Sequence, residues 1–542
     1  MQFISSNVEN NIMKSKTNIL AILVYITSLT SFAQTAYKNP VIAGFYSDPS
    51  ICKVGDDYYM VHSSMGYFPG LPIFHSKNLV NWQQVGYALT RKEQLPLDKA
   101  GVTLGIFAPT IRYHNGLFYI ITTNITAKGT FYVTAKDPAG EWSDPIWTDI
   151  PGIDPSLFFD IDGKVYVTSS VNWGQNVKKG IYLTEIELGT GKLLSKPQNI
   201  WEGTGGRYPE GPHIYKKDGF YYLMIAEGGT EFGHKVTIAR SKYLNGPYNS
   251  NPANPILTHS NMNAETSPIQ GLGHGDLVET QDNNWFMVAH AFRQFDGHQI
   301  LGRETFLLPV RWDTNAWPVV NGDGSVDFDM QAKLPSQLLT EPSPINRNEF
   351  DVPKLSIEWN YLNNPIENNY SLTARKGFLR LIGNSENLNQ LPGTTFIGRR
   401  QQHHDFEVTV NLDFIPQKPN EEAGVTIYKS TNYHYDLCIK SKNNKRVLVL
   451  KYQLGKIEHI EKEILIQNGP VLLKVIGNKE FYSFEFAQAN NPFEKMSEVD
   501  TRFLSSVTVG GFTGNFIGLY ATGNGQKANT PADFDWFSYI NK

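Results

Sequence analysis

From Lys38 to about Leu334, apolar and polar residues alternate in short runs, and clusters of Gly, Asp, Asn and Pro interrupt them. Alternation with period two, bounded by turn residues, predicts strands. No long stretch keeps a helical period, so the pattern predicts an all-β chain. One layout recurs. Tyr46-Ser47-Asp48-Pro49-Ser50-Ile51 leads through a turn at Gly55-Asp56-Asp57 into an aromatic run, Tyr58 to Ser63. Ala108-Pro109-Thr110-Ile111 leads through Asn115-Gly116 into Phe118 to Thr122. Asp154-Pro155-Ser156-Leu157 leads through Asp162-Gly163 into Val165 to Thr168. Glu210-Gly211-Pro212-His213-Ile214 leads through Asp218-Gly219 into Phe220 to Ile225. A weaker fifth unit runs from His274-Gly275-Asp276-Leu277-Val278 through Asn283-Asn284 into Trp285 to Ala289. Each second half is a hairpin signal, an Asx or Gly turn between β-branched and aromatic runs. Five hairpin units at intervals of roughly 45–65 residues predict the blades of a five-bladed β-propeller, over residues 35–335.

A polar, Pro-marked passage follows, read as a linker over 336–345. Beyond it the pattern changes. Strand-like runs at Leu355 to Tyr361, Phe406 to Phe414, Gly424 to Lys429, Val447 to Leu454, Val471 to Val475 and Phe481 to Phe486 lack the blade layout. So does the last, Phe534 to Tyr539. They predict an antiparallel β-sandwich, jelly-roll or concanavalin-like, over 346–542.

In a propeller the first strand of each blade lies beside the central channel, so equivalent positions converge on one axis. Those positions hold Asp48, Ala108, Asp154, Glu210 and His274. A single Asp-Pro is a turn starter. Three acids in register across repeats are a different signal, because like charges held close raise one another's pKa. Paired carboxylates in a cavity suit hydrolysis of a glycosidic bond. One, protonated, gives a proton to the leaving oxygen; another, ionised, activates water or attacks the sugar. Glu210, between Pro209 and Gly211-Pro212, suits the acid, Asp48 the base, and Asp154 the partner that sets the acid's pKa.

Length and composition narrow the classes. The 542 residues call for two or three domains. Aromatics at 13% and apolar residues at 40% supply large cores. A net charge of −4 gives no electrostatic case for nucleic acid, and no Lys/Arg block marks an anionic membrane. Lys14 and Lys16, an apolar run from Ile19 to Leu29, and Ser31-Phe32-Ala33 predict a signal peptide over 1–34, with Met13 a candidate start. That implies export to the periplasm or beyond the cell. The apolar run is too short to favour a membrane span. Cys52 and Cys438 alone give no disulfide framework, and buried free thiols are expected.

The chain resembles glycoside hydrolase family 43, the β-xylosidases and α-L-arabinofuranosidases with a C-terminal sandwich. The resemblance is carried by Ser47-Asp48-Pro49-Ser50, Gly55-Asp56-Asp57-Tyr58-Tyr59, His75-Ser76-Lys77-Asn78-Leu79-Val80-Asn81-Trp82 and Ile153-Asp154-Pro155-Ser156-Leu157-Phe158. Pro209-Glu210-Gly211-Pro212-His213, Ala226-Glu227-Gly228-Gly229-Thr230, Gly302-Arg303-Glu304-Thr305, Phe396 to Gln402 and Asp533 to Phe537 extend it along nearly the whole mature chain. It implies an inverting, exo-acting enzyme on xylo- or arabino-oligosaccharides, with Asp48 as general base, Asp154 as pKa modulator and Glu210 as general acid. It implies Arg303 as a fork for sugar hydroxyls, and His274 as a substrate contact or the holder of a water or Ca²⁺ in the channel. Met65 and Phe107 stand where many relatives carry Phe and Trp. With Phe68 and Trp173 they are the expected apolar contacts. Gly211 replaces the Ala of many relatives, a change expected to be small. No redox or organic cofactor is implied. A candidate Ca²⁺ site in the sandwich is Asp533 with Asp535, beside the plainer reading of solvated strand-edge acids. A lectin-like propeller, a retaining sucrose-type hydrolase and an endo-arabinanase are the rival readings.

Overall fold

The computed structural model describes residues 34–174, 177–335 and 347–542. The signal-peptide reading, apart from Gln34, and the linker lie outside these residues. Five antiparallel sheets follow one another along the first part of the chain, four of four strands and the fourth of five. Their first strands are β1 (Ser50–Val54), β2 (Thr110–His114), β3 (Ile153–Phe159), β4 (Glu210–Lys217) and β5 (Ile269–Glu279). These five touch in sequence, β1 to β2 to β3 to β4 to β5 and back to β1, which closes a five-bladed ring about one axis. The ends of the ring are tied together. Thr35–Lys38 pairs with Asp329–Ala332, and the Asn39 side chain donates to the Leu307 carbonyl at 3.0 Å and accepts from its N–H at 2.9 Å.

The hub is filled below the site by a buried polar plug. Arg112 of β2 pairs with Asp276 of β5 at 2.8 Å. Asp276 also accepts from Ser50 Oγ at 2.7 Å and from the Tyr215 hydroxyl at 2.6 Å. Strands β1, β2, β4 and β5 thus meet on one carboxylate. Burial alone would raise its pKa, but Arg112 and these donors hold it far below the usual range.

The second part forms two eight-stranded antiparallel sheets packed face to face. Alternate side chains of Phe406–Asp413, Glu422–Ser430, Val471–Gly477 and Phe516–Thr522 point between them and build one apolar core. The last strand of one sheet comes from blade one: Tyr67–Phe68 pairs with Tyr361 and Leu362. This corrects the expectation for Phe68. It packs near Tyr361, ring centroids 6.4 Å apart, because its segment is used to extend the sandwich sheet. Tyr67 stacks on Phe516 at 3.9 Å. Arg400 donates to the Phe45 carbonyl at 2.7 Å and lies over the Tyr46 ring at 4.5 Å. One apolar cluster therefore contains Phe45, Met65, Tyr67 and Val102 from the propeller and Phe396, Phe516 and Tyr520 from the sandwich. Cys52 and Cys438 are both buried and free.

Candidate active site

Asp48, Asp154, Glu210 and His274 line one pocket at the mouth of the hub. Irregular backbone puts them there. The inner strands are bulged at Ile153/Ser156, at Glu210/His213 and around Gly273. Asp48, Asp154 and His274 take positive φ of 55°, 52° and 45°. Such φ costs an L-residue roughly 1–2 kcal/mol, and strain of this kind gathers where side-chain direction matters more than stability. Gly211 fills the matching place on β4 at φ 58°, where an added Cβ would stand 2.9 Å from His274 Nε2. Without a side chain at Gly211 the His274 imidazole sits close against β4.

Asp48 is almost wholly buried and fully partnered. Arg303 Nη1 donates to its Oδ1 at 2.7 Å. Ser63 Oγ and Ser47 Oγ donate to its Oδ2 at 2.6 and 3.1 Å. Its own N–H donates to His290 Nδ1 at 3.1 Å, and His274 Nδ1 stands 3.7 Å from Oδ1. Burial works to raise this carboxyl, yet Arg303 and the two imidazoles hold it well below the usual carboxylate range.

Glu210 is in the opposite state. Burial, then the charges of Asp154 and Asp48, push its pKa well above normal. Its backbone is fixed from blade three: Ser170 Oγ and Asn172 Nδ2 donate to the Pro209 carbonyl at 2.6 and 3.1 Å. Glu227 holds the loop before it, accepting from the N–H groups of Thr204 and Gly206 at 2.9 and 3.0 Å. Asp154 is also raised, by burial and then by Asp48, against the pull of His274, the Gly211 N–H and Arg303. That N–H donates to Asp154 Oδ2 at 3.1 Å, which joins the Asp154 side chain to the residue after Glu210.

Met65, Phe107, Ala108, Ile153, Thr230 and Phe512 complete the wall. Phe512 comes from the sandwich and contacts Phe107 edge-on, centroids 6.4 Å apart. The Arg303 guanidinium lies 5.6 Å from its ring. The pocket encloses about 70 Å³. At roughly 10–15 Å³ per water position this is room for a handful of waters.

Of the expected contacts, Arg303, His274, Phe107 and Met65 are in the pocket and Phe68 and Trp173 are not. Trp173 lies beyond the end of its strand, Val165–Val171, with half its surface in solvent. Asp533 is not a solvated strand-edge acid: its carboxylate is committed to two arginines. It is buried against Arg380 at 2.7 Å and Arg375 at 2.9 Å, while Asp535 accepts from Asn411 Nδ2 at 3.0 Å. Among the described residues, no three His, Cys, Asp or Glu side chains are placed to share a metal ion. Sequence reasoning missed His290, Ser63, Thr230 and Phe512. His290 follows directly on the fifth unit's aromatic run and was open to notice as a polar residue there. Phe512 belongs to no repeat.

A propeller hub that favours one carboxyl ionised and another protonated in one small pocket fits a glycosidase. The chain belongs to glycosyl hydrolases family 43: that family's sequence model matches residues 37–318, and the β-xylosidase C-terminal concanavalin A-like domain matches 347–540. Family 43 enzymes need no cofactor. The chain is 43% identical over 535 residues to a non-reducing-end α-L-arabinofuranosidase of Bacteroides ovatus, covering 97% of this chain and 99% of that protein. It is 39% identical to a xylosidase/arabinosidase of Butyrivibrio fibrisolvens, covering 92% and 98%. Among solved structures, a xylan β-1,4-xylosidase from Bacillus halodurans superposes with a TM-score of 0.88 at 34% identity, covering 93% and 100%.

Proposed function

We propose that this glycosidase removes single terminal pentosyl units, α-L-arabinofuranosyl or β-D-xylosyl, from the non-reducing ends of plant oligosaccharides, with inversion at the anomeric carbon. The observation that carries this reading is the opposed ionisation of Asp48 and Glu210 in a pocket closed on one side by Phe512. Glu210 protonates the leaving oxygen. Asp48 takes a proton from the water that attacks the opposite face of the sugar. Asp154 keeps Glu210 protonated, and Arg303, bonded to Asp48 and to Thr230 Oγ1 at 3.1 Å, orients the base and offers donors to hydroxyls. The names of the relatives support both sugars.

Aryl α-L-arabinofuranosides and β-D-xylosides, compared by kcat/KM, test the substrate class, and NMR of the first-formed anomer tests inversion. Glu210→Gln should lower kcat by about 10²–10⁴ on substrates with poor leaving groups. Unchanged hydrolysis by that variant refutes the acid assignment. Long arabinan or xylan products would favour the endo reading. We also propose export, supported by the Lys14–Ala33 pattern. N-terminal sequencing of the protein from its source cells, which should begin near residue 35, tests it.

A further inference from the structure

Lys429, on the sandwich strand Glu422–Ser430, is buried to 1% exposure, yet its ammonium pairs with no carboxylate among the described residues. A buried cation without a counter-charge is costly and needs a return. Its donors go to two places seven positions apart along one loop. It donates to Ser506 Oγ at 2.5 Å and to the Thr513 carbonyl, and Ser506 Oγ itself reaches that carbonyl at 3.2 Å. The loop between them ends in Gly510-Gly511-Phe512, with φ of 77° and 85° at the two glycines. These give the Phe512 ring little stiffness from its own backbone.

What Phe512 separates gives the clamp its meaning. On one side is the catalytic pocket. On the other is a second cavity of about 410 Å³, lined by Glu231, Phe232, Phe292, Gln299 and Val507. The two share Thr230, Arg303 and Phe512 as common wall. Burial, with the nearby Arg303 charge adding, pulls the Lys429 ammonium down to about 7.

We propose that Lys429 is a positioning and specificity-determining residue: by tying Ser506 to Thr513 it holds Phe512 as a partition that confines the catalytic pocket to one terminal sugar. With the partition loosened, the pocket opens into the second cavity and admits a sugar that carries another on its non-reducing side. This rests on the exo-acting reading above.

The test compares wild type, Lys429→Met, Phe512→Ala and the double variant. The substrates are the nitrophenyl pentoside the enzyme prefers and the nitrophenyl glycoside of the corresponding disaccharide. Lys429→Met should raise KM for the pentoside about tenfold with kcat within about twofold, since the acid and base are untouched. It should also release intact disaccharide from the longer substrate. Phe512→Ala should do the same, and the double variant should be no worse than the poorer single one. Unchanged KM, a fall in kcat alone, or fully additive losses would overturn the proposal. If Lys429→Met does not fold, Ser506→Ala, which removes one anchor, is read by the same criteria. Wild type inactive on every pentoside would refute the exo reading instead; an active wild type with unaltered variants refutes only the role of Lys429.

Discussion

Asp48 and Glu210 bear the same functional group, yet their surroundings drive them apart. Asp48 has a guanidinium, two hydroxyls and two imidazoles about it, while Glu210 faces two carboxylates. On the proposed mechanism the active form has Asp48 ionised and Glu210 protonated. Activity should therefore fall on the acid side as Asp48 gains a proton, at a pH well below the usual carboxylate range. It should fall on the alkaline side as Glu210 loses one. Asp154→Asn removes a negative neighbour that raises the Glu210 pKa. The alkaline limb of kcat/KM should then move to lower pH while the acid limb stays nearly fixed. A limb that does not move, or moves upward, would show that Asp154 does not tune Glu210. The convergence of these three acids was legible in the sequence because Asp48-Pro49, Asp154-Pro155 and Pro209-Glu210-Gly211-Pro212 stand at one place in the blade layout. His290 and Ser63, which hold Asp48, were not, since a lone His or Ser in a strand has many uses.

At the scale of the strand, the inner ring does two jobs at different depths. Its upper, bulged ends aim carboxylates into the pocket; lower down, Arg112 and Asp276 join β2 to β5 across the axis. Asp276 sits two residues after His274 in the fifth unit, an acid on the hub that serves structure. Asp276→Asn leaves the Arg112 charge buried and unpaired, which should cost about 3–5 kcal/mol. The pH dependence has a definite sign. The folded pKa of Asp276 is depressed, so its stabilisation is complete above the unfolded value near 3.9 and is lost as pH falls through the lower folded value. The deficit of the variant, measured by urea unfolding, should be constant from about pH 5 to 8 and shrink only in strong acid. A deficit that vanishes near neutrality would mean the pair is not what closes the hub. The five inner strands were readable because turn residues repeat with them. The fate of Phe68 was not, because a two-residue segment carries no period to say which sheet it joins, and Trp173 stands past the end of its strand, where no period places a side chain.

Across the whole molecule, the sandwich is part of the catalytic half's construction. Tyr67–Phe68 completes a sandwich sheet, Arg400 reaches into the Phe45–Tyr46 turn two residues before Asp48, and Phe512 walls the pocket. None of this could be read from residue patterns, which describe each element's own period and say nothing of two surfaces that meet. The shared apolar cluster has a thermodynamic consequence. Domains that unfold separately need an interface that either side can lose cheaply. Here, separating the two would expose Tyr67, Phe396, Phe516 and Tyr520, each buried almost completely, at about 1.5–3 kcal/mol per large side chain. It would also strip the Arg400 guanidinium of its carbonyl partner. Calorimetry should therefore show one unfolding transition, with calorimetric and van't Hoff enthalpies in agreement. Loss of activity on heating should coincide with loss of the sandwich's near-ultraviolet signal. Tyr67→Ala, which removes the ring stacked on Phe516, should split or broaden that transition and lower its midpoint. Two resolved transitions in the unaltered protein, with activity surviving the first, would show that the propeller holds its pocket without the sandwich.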